Sequence, residues 1–264
     1  MDAMVESFNE YFEVVPADDE AGIRQALHLR YQVYCLETGF EPKEAFREGL
    51  ERDEFDVRAV HSLLIHKSSG LVAGTVRLVL PDPACPGTPF PVEKHCGEGL
   101  PRPLPEAERR WMAEISRFCV SREFKRRLAE PNTQWGAPTL AANASAGPER
   151  RLIPHITVGL FAAIVRMSAT HGVRYWYAVM EPSLLRFLNR FGIAFQALGP
   201  PVSYRGWRQP CFAVADEVLG AMAKESPAVW RLITEKGTLW PAGQPGPAQP
   251  FAAEPRPPRA GRGG

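Results

Sequence analysis

Cysteine is sparse in this sequence, with Cys35, Cys85, Cys96, Cys119 and Cys211 scattered over 264 positions and no CxxC pair among them. An odd, dispersed set excludes a disulfide framework, and no Cys or His spacing of the zinc kind accompanies it. His28, His61, His66, His95, His155 and His171 form no metal pattern either, so no metal is expected. Long apolar runs are also missing. The most apolar stretch, Ile153 to Ala169, is broken by Pro154, His155 and Arg166, which leaves it too short and too polar to span a bilayer. The N-terminus, Met-Asp-Ala-Met-Val-Glu-Ser, lacks the basic start and apolar run of an export signal. A soluble, cytoplasmic protein is the expectation. Charge of one sign is lacking too, with 31 Lys and Arg against 30 Asp and Glu and a net charge of +1. Such a balance gives no field for nucleic acid or a membrane, so a charged partner needs a local patch.

What is present is core material, 45% hydrophobic residues, ample for one large domain or two small ones. Tyr11–Val15 reads as a strand closed by Pro16, and Asp18 or Asp19 offers an N-cap to a helix running to about Glu37. Ile23, Ala26, Leu27, Val33 and Tyr34 give that helix a buried stripe. His61–His66 and Leu71–Leu80 read as a hairpin around Lys67-Ser-Ser-Gly70. Pro and Gly dominate residues 81–105, which predicts a long loop with little regular structure. Ala113–Val120 is a further strand, and about 129–150 reads as a mobile insertion. Ile153–Thr170 predicts a helix, Val173–Met180 a strand, and Pro182 opens a short helix stopped by Gly192. Strands at Ile193–Ala197 and Phe212–Ala215 complete a mixed sheet. One domain over 1–240 is expected, with a disordered Pro/Gly/Arg-rich tail over 241–264.

Several charges sit in odd places. Arg30 lies on the apolar stripe of its helix. A buried, unpaired guanidinium there would cost about 3–5 kcal/mol, which calls for nearby carboxylates; the alternative is an arginine snorkelling from the stripe's edge. Arg77 interrupts the strand run Val76-Arg-Leu-Val-Leu80, although a lone strand arginine is often simply on a wet face. Glu51, Asp53 and Asp56, two and three residues apart, could receive such arginines as bidentate partners, or form a solvated loop. In Glu114-Ile-Ser116-Arg117-Phe118, Glu114 and Ser116 share a strand face by period two. Arg117 should point the other way unless a bulge intervenes. A carboxyl on a sheet face among apolar neighbours tends to hold its proton, which suits a general base, and a plain inter-strand ion pair is the other reading.

Taken in order, Leu29-Arg30-Tyr-Gln-Val-Tyr34, Phe40, Glu51-x-Asp53-x-Phe-Asp56, Gly74-Thr-Val-Arg77-Leu and Glu114-Ile-Ser116-Arg117-Phe118 resemble the signature of acyl-homoserine-lactone (autoinducer) synthases. Phe40 and Tyr34 stand where those enzymes usually carry Trp and Phe. The segments 81–105 and after Arg127 are longer, so the chain looks closer to N-acyl amino acid synthases. It most resembles the acyltransferases of PEP-CTERM/exosortase systems. The resemblance implies a GNAT-like α/β (α+β) fold, with a central mixed, mostly antiparallel twisted sheet flanked by helices. It implies N-acyl transfer from an acyl carrier protein, or acyl-CoA, to an amino acid or similar amine, with no tightly bound cofactor, no nucleic acid and no membrane insertion. An acyl-homoserine-lactone synthase using S-adenosylmethionine is the runner-up.

The resemblance also implies roles. Glu114 is the expected base, and Arg30, Asp53, Asp56, Arg77, Ser116 and Arg117 form the active-site network. Tyr34, Phe40 and Phe118 border the acceptor or acyl pocket, and the backbone of Phe118, Cys119 and Val120 holds pantetheine. A carboxylate on the acceptor would pair with Arg77 or Arg117. The glycine-rich pyrophosphate loop of acetyl-CoA enzymes is missing after Val120. The basic run Arg122, Lys125, Arg126 and Arg127 stands there instead, suited to an acidic carrier protein or to plain solvation.

Overall fold

A computed structural model of the chain describes residues 8–96, 100–127 and 152–240. The expected insertion at about 129–150 and the tail over 241–264 lie outside the described residues, as do the side chains of Lys125, Arg126 and Arg127.

The period-two segments form one sheet. Its strands are β1 (Phe12–Ala17), β2 (Ala59–His66), β3 (Leu71–Val79), β4 (Met112–Val120), β5 (Tyr175–Met180), β6 (Gln196–Ala197), β7 (Val202–Ser203) and β8 (Trp207–Val214). The order is β1-β2-β3-β4-β5-β8-β6, with β7 paired to β8. Every pairing is antiparallel except β4 with β5. β1 runs through Pro16 rather than stopping at it, because an edge strand tolerates a proline that a central one does not.

Helix α1 (Glu20–Tyr31) starts where Asp19 accepts from the Gly22 N–H at 2.7 Å. It continues to Glu37, as expected, but the stretch Gln32–Glu37 is π-helical. α1 covers one face of the sheet together with α2 (Pro91–His95). The loop expected over 81–105 thus carries one short helix among its described residues. After the short α3 (Arg122–Arg127), the long α4 (Leu152–Thr170) covers the opposite face of β1 to β4. There Leu64, Val76, Leu78, Ala113 and Ile115 pack under Leu160, Phe161 and Ile164. α5 (Pro182–Asn189) follows β5, and α6 (Ala215–Glu225) and α7 (Pro227–Ile233) close the core after β8.

Three expectations need correction. The strand over Ile193–Ala197 is only Gln196–Ala197, and the one at Phe212–Ala215 is the eight-residue β8. Its alternation is obscured because Pro210, Cys211, Phe212, Ala213 and Val214 are all buried, a double-sided pattern for a strand inside the sheet. Helices α6 and α7 were not anticipated.

Candidate active site

The site begins with an irregularity in β4. Thr75 pairs with Cys119, but Arg77 pairs with Ser116, so β4 carries one residue more than β3 between these rungs. The extra residue is a bulge, and Arg117 within it adopts φ +50°. This left-handed conformation, rare for a side chain with a Cβ, turns Arg117 to the face that Glu114 and Ser116 already share. Strict alternation would have sent it to the α4 side.

On that face, three guanidinium groups meet three carboxylates. Arg30, on the last turn of α1, donates from Nε to Glu51 at 2.6 Å and from both terminal nitrogens to Asp56 at 2.6 and 2.9 Å. Arg77 forks onto Asp53 at 2.6 and 2.9 Å, reaches Asp56 at 2.9 Å and donates from Nε to Ser116 at 3.0 Å. Arg117 joins Glu51 and Asp53, each at 2.9 Å, and its guanidinium stands 5.1 Å from the Tyr34 ring centroid. Arg30, Arg77 and Glu51 are fully buried. Each charge therefore meets at least two opposite charges, the condition under which a buried ionic cluster can persist.

The loop carrying the acids is ordered locally. Asp53 caps a short 3₁₀ turn (Glu54–Arg58) by accepting from the Phe55 N–H at 2.9 Å, and Asp56 accepts from the Asp53 N–H at 2.8 Å. Burial works to raise the Glu51 carboxyl, but Arg30 and Arg117 outweigh it and hold it at about 2. Asp53 and Asp56 are likewise held down against burial, Asp53 mainly by Arg77 and Asp56 by His61 and Arg30. Glu51 was recognised in the sequence as one of three acids, yet it belongs in the network as fully as Asp53 and Asp56.

Glu114 stands apart from these pairs. It is 2% exposed, and burial pushes it up to about 8, against the opposing effects of the Val92 N–H and Arg77. Val92 donates to its Oε2 at 2.7 Å. The carboxyl lines a polar pocket with Tyr34, Val92, Ser116, Arg117, Tyr204, Arg205 and Arg208, enclosing ≈ 520 Å³ with its open mouth included.

β4 and β5 pair only from Met112–Tyr175 to Ile115–Ala178, although β4 continues to Val120. Where the pairing ends, an apolar groove of ≈ 570 Å³, mouth included, opens between Ile115, Phe118, Met180, Leu184, Leu188 and Phe195. Phe161 and Ile164 of α4 form its far wall, and Tyr34, Ser116, Arg117, Val179 and Arg208 line both spaces. Polar pocket and apolar groove thus adjoin and share these walls, with Glu114 on the pocket side.

The structure gathers Arg30, Asp53, Asp56, Arg77, Ser116, Arg117, Glu114 and Tyr34 into one region, and Phe118 lines the groove. Phe40 packs behind Tyr34, with the Arg208 guanidinium 5.7 Å from its ring centroid, and does not line either space. The Cys119 and Val120 side chains are buried, Cys119 against Leu29, Val33 and Tyr34, so only their backbone is in question at the groove. Of the two expected partners for an incoming carboxylate, Arg77 is engaged by Asp53, Asp56 and Ser116 and does not line the polar pocket, whereas Arg117 does.

Sequence reasoning missed Tyr204, Arg205 and Arg208. They come from the β7–β8 turn and the start of β8, where Arg205 and Gly206 both have positive φ. Arg205 pairs with Glu41, and Arg208 with Glu181 at 2.8 Å. Among the described residues, no group of acidic, His and Cys side chains is arranged to hold a metal, and no helix is long and apolar enough to cross a membrane.

A parallel strand pair that parts beside a buried carboxyl, within a mostly antiparallel sheet flanked by helices, is the arrangement of a GNAT-like fold. The description "Acetyltransferase (GNAT) domain" matches residues 29–133. More particularly, the chain is similar to acyl-homoserine-lactone synthases. It is 21% identical to the "Acyl-homoserine-lactone synthase" of Vibrio anguillarum over 192 residues, 73% of this chain and 82% of that one. Its fold is shared with TofI, solved in a ternary complex with an inhibitor and MTA, at a TM-score of 0.55 and 24% identity, over 83% of this chain and 99% of that one. The AHL synthase LasI matches at a TM-score of 0.54 and 16% identity, over 81% of this chain and 92% of that one.

Proposed function

We propose that this chain moves a fatty acyl group from the thioester of an acyl carrier protein to the amine of an amino acid or a similar small acceptor. The observation that carries the reading is that an apolar groove and the polar pocket holding Glu114 lie side by side and share walls. An acyl chain fits the first, and a small charged amine fits the second.

In this reading the acceptor ammonium gives a proton to Glu114, directly or through a water, and the freed nitrogen attacks the thioester carbonyl. The tetrahedral oxyanion is held by backbone amides of β4 near Phe118–Val120, beyond the point where β5 parts from it. Collapse breaks the carbon–sulfur bond and forms the amide. The sulfur leaves as a thiolate and takes up a proton, so an N-acyl product and a free carrier thiol result. A carboxylate on the acceptor would meet Arg117, Arg205 or Arg208, whose guanidiniums line the polar pocket, rather than Arg77, which does not line it. The Arg30–Glu51–Asp53–Asp56–Arg77–Arg117 cluster fixes the floor of the pocket without spare charge.

A carrier-protein donor is supported by the basic run Arg122, Lys125, Arg126 and Arg127 and by the lack of a glycine-rich loop after Val120. The similarity to the Vibrio anguillarum enzyme favours a second reading, a lactone synthase proper using S-adenosylmethionine. Release of methylthioadenosine separates the two. An association with exosortase systems is part of the proposal and rests on sequence resemblance.

The test is mass spectrometry of lipid extracts from cells expressing the protein or its Glu114→Gln variant. N-acyl amino acids that depend on Glu114 are the expected result. Acyl-homoserine lactones with methylthioadenosine would replace the amino-acid reading with the second one. An unchanged lipid profile in cells supplied with both donor classes would sink acyl transfer at this site.

A further inference from the structure

Glu114 receives its hydrogen bond from a short and otherwise weak element. α2 is five residues long, and Val92 N–H is one of the amides at its start that have no partner inside the helix. A helix this short holds no fixed orientation by itself. Something must aim the Val92 amide, and the structure provides it from the polypeptide immediately before Glu114.

Arg109 lies in a 3₁₀ turn (Glu106–Trp111) that runs straight into β4, so it and Glu114 share one continuous segment. Its guanidinium is buried and forks onto both carboxylate oxygens of Glu93 at 2.7 Å each. Glu93 Oε2 also accepts from the Phe90 N–H at 2.9 Å, which sets the first turn of α2. Arg109 Nε donates to Pro86 O at 3.0 Å, and its guanidinium sits 5.3 Å from the Phe90 ring centroid. Arg58 flanks the same ring at 5.2 Å and donates to Leu80 O and Pro89 O at 2.6 Å each. Phe90 in turn packs edge-on against Tyr177, the β5 residue paired with Glu114. None of these groups lines the polar pocket. A bidentate, buried pair outside the acceptor space is a costly device for surface decoration.

We infer that Arg109 and Glu93 are positioning residues, whose ion pair fixes α2 so that the Val92 N–H stays on the Glu114 carboxyl. The inference rests on Glu114 being the base of the proposed reaction. The N–H favours the ionised carboxylate, so its loss should make Glu114 hold its proton more tightly. The other groups acting on Glu114 are Arg77 from β3, Arg117 from β4, Arg58 from the turn before β2, Glu93 and Cys96 from the α2 segment, and Tyr204 from the β7–β8 turn. Arg109→Lys and Glu93→Asp leave the formal charge of every one of them unchanged while breaking the fork. Any shift they cause is therefore geometric.

The experiment is a carbon-13 NMR titration of protein labelled at the glutamate carboxyls, with the Glu114 signal assigned by its absence in Glu114→Gln. No substrate is needed. In Arg109→Lys, and independently in Glu93→Asp, the Glu114 midpoint should rise by roughly half a unit or more, about a threefold gain in proton affinity. The Val92 amide should exchange with solvent faster in both. A wild-type midpoint in the folded variants would overturn the positioning role. Acyl transfer that survives Glu114→Gln would instead remove Glu114 as the base and leave the titration result standing, so the two failures are distinguishable.

Discussion

Glu51 and Arg117, 66 residues apart in the chain, meet at 2.9 Å in a site where Glu51 is wholly buried. The same carboxylate accepts from Arg30 Nε at 2.6 Å, so one acid joins α1 to the bulge of β4.

Removing that acid's charge leaves two buried guanidiniums short of a partner. Glu51→Gln should therefore destabilise the fold by about 3–5 kcal/mol, read as a lower urea midpoint. A loss below about 1 kcal/mol would place Glu51 among ordinary exposed ion pairs.

The network also sets how the protein meets acid. Glu51, Asp53 and Asp56 are all depressed below the ordinary carboxylate range. Their stabilisation is fully present above the unfolded value and is lost as pH falls through the folded one. For Glu51, that window runs from its ordinary 4.5 down to about 2. Thermal melts across this range should fall steeply in the wild type and much less in Glu51→Gln.

Glu114 has the opposite sign. Its folded value of about 8 lies above its ordinary 4.5, so its contribution to stability is full below 4.5 and declines as pH rises toward 8. As the proposed base it must be ionised, so kcat/KM should climb about tenfold per unit up to near pH 8 and then level. A profile flat between pH 6 and 9 would argue against this assignment.

Gly74 opens the motif that ends in Arg77, and packing explains the glycine. A Cβ there would stand 3.0 Å from the Cys119 carbonyl oxygen and 3.0 Å from Leu160 Cδ1. Gly74→Ala should cost about 1–3 kcal/mol through overpacking between β4 and α4. Denaturant melts that match wild type would show that the helix can yield.

Filling the groove tests its use. Leu184 and Leu188 face it from α5. Leu188→Trp should shift the product range toward shorter acyl chains, measured by mass spectrometry, while an unchanged range would move the acyl chain elsewhere.

The sequence disclosed the elements with strong period and clear punctuation. Asp19 starts α1, Lys67–Gly70 turns β2 into β3, and Gly192 ends the region of α5, because each depends on local backbone chemistry. The network residues were legible too, since a guanidinium on an apolar stripe demands a carboxylate wherever the chain can bring one. What escaped depends on distant contacts. The polarity of Tyr204, Arg205 and Arg208 carries no sign that the β7–β8 turn folds back over Glu114. Glu93 lies in the Pro/Gly-rich stretch whose composition reads as loop, with Arg109 just beyond it, so neither residue announces the fork between them. α6 follows directly on the buried end of β8, so no break in apolar character marks its start, although Val218, Leu219 and Met222 have helical spacing.

The bulge at Arg117 has a consequence for how this site can change over generations. A glycine would suit φ +50° best, yet it would delete the cation; another cation would keep the charge and inherit the same reluctant backbone. Conformation and charge are thus written in a single codon. Replacement there therefore trades backbone ease against the charge that Glu51 and Asp53 share.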